Sequence, residues 1–223
     1  PPSMLRSPYQ PDDPTHRVTV WHAASSSSDP GPLEAACAGW LDQDERERAA
    51  RFRVLTSRNQ HIVGRGMARR LLGGERVAPE SIQFAAEVHG KPFVGQPPSA
   101  KQPFNVSHTD GLVLCGIGSP EQARVGVDVE RVGRRTDPGL ADRFLSPPEI
   151  DYLNRLPSGD RRRHAVLRIW TLKESFIKAI GTGLQTPLAD CAFIDPESEC
   201  PTIQMLDSKL ESDLSWRFFS VLP

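Results

Sequence analysis

The sequence predicts an α+β protein built in two halves, and three observations carry that prediction. Stretches whose apolar residues recur at helical spacing, at 33–41, 42–54, 57–72 and 166–180, are interspersed with short β-rich runs at 17–22, 81–84, 104–109, 112–118, 124–130, 191–194 and 215–221. Ser119-Pro120-Glu121-Gln122-Ala123 has the composition of a joint, dividing the chain into an N-terminal lobe over 17–119 and a C-terminal lobe over 120–223. The 223 residues, 38% of them hydrophobic, suffice for one large domain or two small lobes.

Charge and composition exclude several partners. Lys+Arg number 27 against 28 Asp+Glu, so no global field recruits nucleic acid or an anionic membrane, and any polyanion is met locally. Cys37, Cys115, Cys191 and Cys200 form no CxxC pair and no charged-then-apolar leader opens the chain, which points to a reducing, cytoplasmic setting. The longest apolar run, around Leu112 to Ile117, falls far short of the ~20 residues of a membrane helix and reads as a buried strand.

Residues 1–16, with five prolines and two adjacent aspartates, read as a loose tail or one lying on the body. Arg17 to His22 alternates as a half-buried strand, and Ser25 to Pro32 is a punctuated loop. A short helix over Leu33 to Leu41 precedes one over Asp42 to Val54. The latter runs from Asp42, Asp44 and Glu45 to Arg46, Arg48, Arg51 and Arg53, the order the helix dipole favours, and reads as a solvated face. The helix Ser57 to Leu72, closed by Gly73-Gly74, projects Arg58, His61, Arg65 and Arg69 within roughly 80° of one another. Such a stripe repels itself unless an anion such as phosphate neutralises it, the alternative being a solvated face. Gly64 and Gly66 inside this helix indicate close approach of another backbone or a ligand. The turn Val88 to Pro92 presents Lys91. At Phe104 to Thr109 strand gives way to turn, so Ser107, His108 and backbone N–H groups could bind phosphate or cap their own backbone.

Beyond the joint, Arg124 to Glu130 alternates so that Val125, Val127 and Val129 share one face and Asp128 and Glu130 the other. Two such carboxylates are either solvated or half of a hard-cation site, since magnesium takes one or two carboxylates and completes its shell with water and phosphate oxygens. No clustered Cys or His suggests zinc. A short helix is expected over Asp137 to Leu145. Another begins at Ser146-Pro147-Pro148-Glu149, whose capping box is sufficient reason for Glu149. Arg161 to His164 reads as a solvated loop. The helix that follows ends at Gly181 and Gly183 and carries Lys173 inside its apolar arc, with Glu174 and Lys178 one turn apart just past its edge. Those two are a surface ion pair or part of a site. Strands are expected at 191–194 and 215–221, with a final strand missing.

Five of these strings occur in one order: Gly90-Lys91-Pro92, Phe104-Asn105-Val106-Ser107-His108, Gly126-Val127-Asp128-Val129-Glu130, Phe144 to Glu149, and Trp170 to Leu184. Together they resemble the 4′-phosphopantetheinyl transferase superfamily in its surfactin-synthetase-activator (Sfp) type, over about Asp42 to Leu188. The resemblance implies a pseudo-twofold pair of similar α/β lobes with coenzyme A in the cleft between them. It makes Asp128, Glu130 and Glu174 ligands of Mg2+. It assigns Lys178 to the pyrophosphate, Lys91, Ser107 and His108 to the coenzyme A phosphates, and Arg48, His61 and Arg65 to the 3′-phosphate and adenosine. Glu45 stands where relatives often have a basic residue, leaving that contact to Arg46 or Arg48. Glu149 matches a carboxylate that assists catalysis.

The implied reaction transfers the phosphopantetheine arm to a serine of an acyl or peptidyl carrier protein and releases adenosine 3′,5′-bisphosphate. Catalysis is assigned to Lys178 with Glu174 or Glu149 as base. A monomer without nucleic-acid or membrane partners is expected. The alternatives are a module that binds coenzyme A or a nucleotide without turnover, and an RNA-binding protein, the latter disfavoured by a near-zero net charge and basic residues without interleaved aromatics.

Overall fold

A computed structural model describes residues 5–6, 18–122, 124–134, 141, 143–210 and 215–220. The fold is α+β. It divides into two compact units, Pro1–Val129 with Lys178–Gly181, and Glu130–Ile177 with Thr182–Pro223. These units divide after Val129, and the residues between the Ser119 joint and that point are bonded into the first unit: Val127 N donates to Asn105 Oδ1 at 2.9 Å.

In chain order the first unit runs β1 (Leu5–Arg6), β2 (Val18–Ala24), α1 (Pro32–Trp40), α2 (Gln43–Arg51), α3 (Leu55–Gly73), β3 (Gln83–Ala86), β4 (Pro92–Gln96), β5 (Phe104–Thr109) and β6 (Leu112–Gly118). An antiparallel sheet in the order β1-β2-β6-β5 is its main sheet, and β3 pairs with β4 in a separate hairpin. Leu5 and Arg6 pair with His22 and Trp21, so part of the expected tail is an edge strand; the rest of 1–17 lies outside the described residues. Val63, Met67, Ala68 and Leu72, at helical spacing on α3, pack against Ala23, Phe104, Val113 and Cys115. Burial of each large apolar side chain contributes about 1.5–3 kcal/mol. A Cβ at Gly66 would lie 2.8 Å from Cys37 Cα, so the close approach is to the backbone of α1.

Two expected local structures differ. Asp110-Gly111 forms a two-residue hairpin loop, with Gly111 at φ 79° and Thr109 opposite Leu112. Ser107 and His108 are therefore paired strand residues opposite Leu114 and Val113, and the turn begins after them. Residues 124–130 have no ladder. Val125 and Val127 are buried as alternation requires, but the Val127 N–H is satisfied by the Asn105 side chain in place of a neighbouring strand.

The second unit contains α4 (Pro147–Arg155), most of α5 (Asp160–Ile180), β7 (Cys191–Ile194) and β8 (Thr202–Met205). Arg161 to His164 belongs to the start of α5 and is not a loop, with Arg163 Nη1 2.8 Å from Asp160 Oδ1. The helix expected over 137–145 lies mostly outside the described residues, although Phe144 and Leu145 are buried. Ser215 to Ser220 is not assigned as a strand among the described residues; Ser220 N donates to Glu199 O at 3.2 Å, and Phe218 packs edge-on against Phe193 at 4.7 Å between centroids.

Lys173 explains its own position inside the apolar arc. It is fully buried, and its Nζ donates to Phe144 O, Leu188 O and Cys191 O at 2.7–2.8 Å and pairs with Glu149 Oε2 at 2.7 Å. Glu149 is equally committed. Its Oε2 accepts from Ser146 N and Oγ, both at 2.8 Å, closing the capping box of α4, and its Oε1 accepts from Phe193 N of β7 at 2.9 Å. One carboxylate and one ammonium thereby join α4, α5 and β7.

Because removing one member of a buried pair leaves the other charge uncompensated, Glu149→Gln is expected to cost about 3–5 kcal/mol even though glutamine retains the reach of the cap. The double variant Glu149→Gln/Lys173→Met should lose less than the sum of the singles. Urea unfolding of the four proteins measures both, and an additive double would remove the ion pair as the cause.

Candidate active site

The first unit centres its polar chemistry on Asp128. Successive β5 residues alternate faces, so Phe104 and Val106 meet α3 while Asn105 and Ser107 face the segment 125–128. Asn105 fixes Val127, and Ser107 Oγ donates to Asp128 Oδ1 at 2.9 Å. Lys178 Nζ lies 2.5 Å from the same Oδ1 and 3.0 Å from Ser107 Oγ. The other oxygen, Oδ2, is buried without a hydrogen-bond partner. A carboxylate oxygen withdrawn from water and left without a donor is costly unless a cation meets it, which fits a metal ligand better than a structural ion pair.

His108 does not share these hydrogen bonds. It is exposed, and partial desolvation of its ring followed by the Lys178 ammonium lowers its pKa, while Asp128 opposes them. Lys91 Nζ donates to Val125 O at 2.9 Å, Lys178 O at 2.6 Å and Ala179 O at 2.7 Å, so all three of its hydrogens are directed at carbonyls.

The arginine stripe on α3 is corrected in part, because its anion is internal. Glu45 caps α2 with Asp42, whose Oδ1 accepts from Glu45 N at 2.9 Å, and receives Arg65 Nε on Oε1 at 2.5 Å and Arg69 Nε on Oε2 at 2.7 Å. Arg69, fully buried, also reaches Asp42 Oδ2 at 2.5 Å and the carbonyls of Pro79 and Ile82. Arg65 lies 4.2 Å over the Phe84 ring. Glu45, where a basic residue was expected, thus neutralises the stripe's far end. The near end is left charged. Arg48 is exposed, Arg58 Nε is buried without a partner, and His61 stacks on Phe52 at 5.4 Å with Nε2 3.3 Å from Glu45 O. Burial lowers the His61 pKa, the Glu45 carbonyl opposes it, and Arg48 and Arg65 lower it further.

In the second unit, Glu130 accepts from Trp170 Nε1 at 3.3 Å and pairs with Arg134, whose guanidinium lies 5.9 Å from the Trp170 ring centroid. Glu174 is half-buried on α5 one turn before Lys178. Glu149, expected near the chemistry, has both oxygens engaged in the buried cap and ion pair, which withdraws it from proton transfer. Among the described residues no three His, Cys, Asp or Glu side chains gather as a metal cluster, and no helix is long and apolar enough to cross a membrane. Cys37, Cys115 and Cys191 are buried free thiols. Sequence reasoning missed Asn105 and Arg69 as organisers of these sites. The alternation of β5 was the available signal for Asn105, whereas the helical stripe marks Arg69 but not the internal carboxylates it meets.

The model of the 4′-phosphopantetheinyl transferase superfamily matches residues 124–221, and that of the 4′-phosphopantetheinyl transferase N-terminal region matches 30–118. The chain is 32% identical over 189 residues to the 4′-phosphopantetheinyl transferase HetI of Nostoc sp. (strain PCC 7120), covering 83% of this chain and 75% of that protein. It is 31% identical over 215 residues to a phosphopantetheinyl transferase of Thraustochytrium sp., covering 91% and 71%. With Sfp of Bacillus subtilis (strain 168) it shares 29% identity over 150 residues, 67% of this chain and 64% of that one. The two family matches fall on either side of the Ser119 joint, and the relatives span most of the chain: it belongs to the 4′-phosphopantetheinyl transferase superfamily.

Proposed function

We propose that this protein transfers the 4′-phosphopantetheine arm of coenzyme A to a serine hydroxyl of an acyl or peptidyl carrier protein, in a magnesium-dependent reaction in the cytoplasm. The observation that carries the reading is Asp128, whose Oδ2 is buried without a donor while Oδ1 holds Lys178 and Ser107. Membership of the superfamily and the names of the relatives supply the substrate class.

The residues that would hold Mg2+ are Asp128, Glu130 and Glu174. When bound, the ion neutralises charge on the pyrophosphate. Lys178 adds a second positive charge to the pyrophosphate, and Ser107 donates a hydrogen bond to phosphate oxygen. Arg48 of α2 and His61 of α3, with Arg58 three residues before His61 on α3, meet the 3′-phosphate. The carrier serine Oγ forms a bond to the pantetheine-bearing phosphorus, the bridging P–O bond breaks, and adenosine 3′,5′-bisphosphate leaves with the electron pair. The serine proton passes to the Glu174 carboxylate, the role that Glu149 cannot fill from its buried ion pair.

Mass spectrometry of an apo carrier protein incubated with this protein, coenzyme A and Mg2+ tests the reading. A gain of roughly 340 Da, the mass of the covalent arm, is expected; an unmodified carrier together with tight coenzyme A binding would favour a non-catalytic binding module.

Asp128→Asn and Glu174→Gln are each expected to lower transfer by about 10²-fold or more at limiting Mg2+. Loss of the Lys178 counter-ion should leave the Asp128→Asn apo protein no more stable than the parent. Titration of activity against Mg2+ reads the first effect, and near-parental turnover in either variant removes the metal assignment. Arg48→Ala and His61→Ala should raise KM for coenzyme A about tenfold more than for dephospho-coenzyme A, which lacks the 3′-phosphate. Parallel steady-state kinetics with the two substrates decides it, equal effects excluding a 3′-phosphate contact.

A further inference from the structure

Lys91 is a cation whose three hydrogens all end on main-chain oxygens, and the identity of those oxygens is informative. Two belong to Lys178 and Ala179 in the last turn of α5, where carbonyls have no intrahelical donor and a positive charge is favoured by the helix dipole. The third belongs to Val125, three residues before Asp128. The Lys178 side chain in turn lies 2.5 Å from Asp128 Oδ1. A single ammonium therefore ties the main chain that carries Lys178 to the main chain that carries Asp128.

The surroundings reinforce the joint. Glu87 N donates to Lys91 O and Gly90 N to Glu87 O, both at 2.8 Å, which fixes the turn that presents the lysine. Arg124 Nη1 adds a bond to Ile180 O at 2.9 Å. Gly181 then leaves the helix at φ 78°, and a Cβ there would lie 2.7 Å from Glu87 Oε2 and 3.1 Å from Lys91 Cδ, so the chain passes where only glycine fits. Burial brings the Lys91 ammonium down to about 8, with Glu87 opposing and Arg124 adding to the shift, as expected for a lysine enclosed by protein.

We propose that Lys91 is a positioning residue for Lys178: it holds the last turn of α5 against the 125–128 segment, sets the Lys178–Asp128 pair, and touches no phosphate itself. This rests on the reading of Lys178 as the pyrophosphate contact.

The test is a double-mutant cycle on the full chain, with coenzyme A affinity measured by calorimetry for the parent, Lys91→Met, Lys178→Met and the double variant, each checked for folding by circular dichroism. Lys91→Met and Lys178→Met are each expected to weaken binding about tenfold. The double variant should bind within about twofold of Lys178→Met alone, since Lys91 acts through it. As a control, Lys91→Met and Arg48→Ala should combine multiplicatively. Losses that multiply between Lys91→Met and Lys178→Met, or parental affinity in Lys91→Met, overturn the proposal. If Lys91→Met does not fold, Arg124→Met, which loosens the same helix end at Ile180, replaces it in the cycle under the same criteria. Failure of the parent to bind coenzyme A would instead discard the proposed function and is read from the first titration.

Discussion

Each unit depends on one buried ion pair built into the start of a helix. In the first, Glu45 closes the capping box of α2 and receives the fully buried guanidinium of Arg69 from α3. In the second, Glu149 closes the capping box of α4 and receives the fully buried ammonium of Lys173 from α5. The shared logic is physical. A glutamate at the third helical position is already held by the cap, so little side-chain entropy remains to be lost when it meets a cation, and both carboxylate oxygens can be satisfied at once. Apolar packing around each pair then determines which helix supplies the partner.

The polar chemistry of the first unit follows from a different economy of contacts. The sheet face turned away from α3 offers Asn105 and Ser107 to the segment 125–128, and those two side chains replace the ladder that a strand there would have formed. Asp128 is thereby held by side chains, with one oxygen engaged and the other buried without a hydrogen-bond partner. A further strand in the sheet would have oriented the backbone as well, but it would not have aimed a hydroxyl at the carboxylate.

The fold class, the extent of α3, the C-terminal end of α5, the buried strand β6 and the Ser146-Glu149 cap were legible because each rests on local periodicity or on spacing within one turn, whereas the first turn of α5 was read as a loop. Lys173 was legible as an anomaly, an ammonium inside an apolar arc, though not its four oxygen partners. Asp110-Gly111 carried a hairpin signal that would have kept Ser107 and His108 within the strand. The partners of Arg65, Arg69 and Lys91 were not legible. They join residues 10 to 88 positions apart, and no local pattern distinguishes an arginine that will meet an internal carboxylate from one that will meet a ligand. Glu45 was read against its relatives as an exception, when its charge is what balances the stripe.

The double duty of Glu45 has a consequence for how the first unit breathes. Helix ends ordinarily fray, because the first turn gains little from packing and its amides open to water independently of the interior. Unwinding the first turn of α2 would strip Arg65 and the buried Arg69 of their counter-ion at the same moment, so that local opening is energetically tied to the core of α3. The amides of this helix start should exchange with deuterium at rates set by opening of the unit as a whole, making a surface terminus as quiet as the interior it guards.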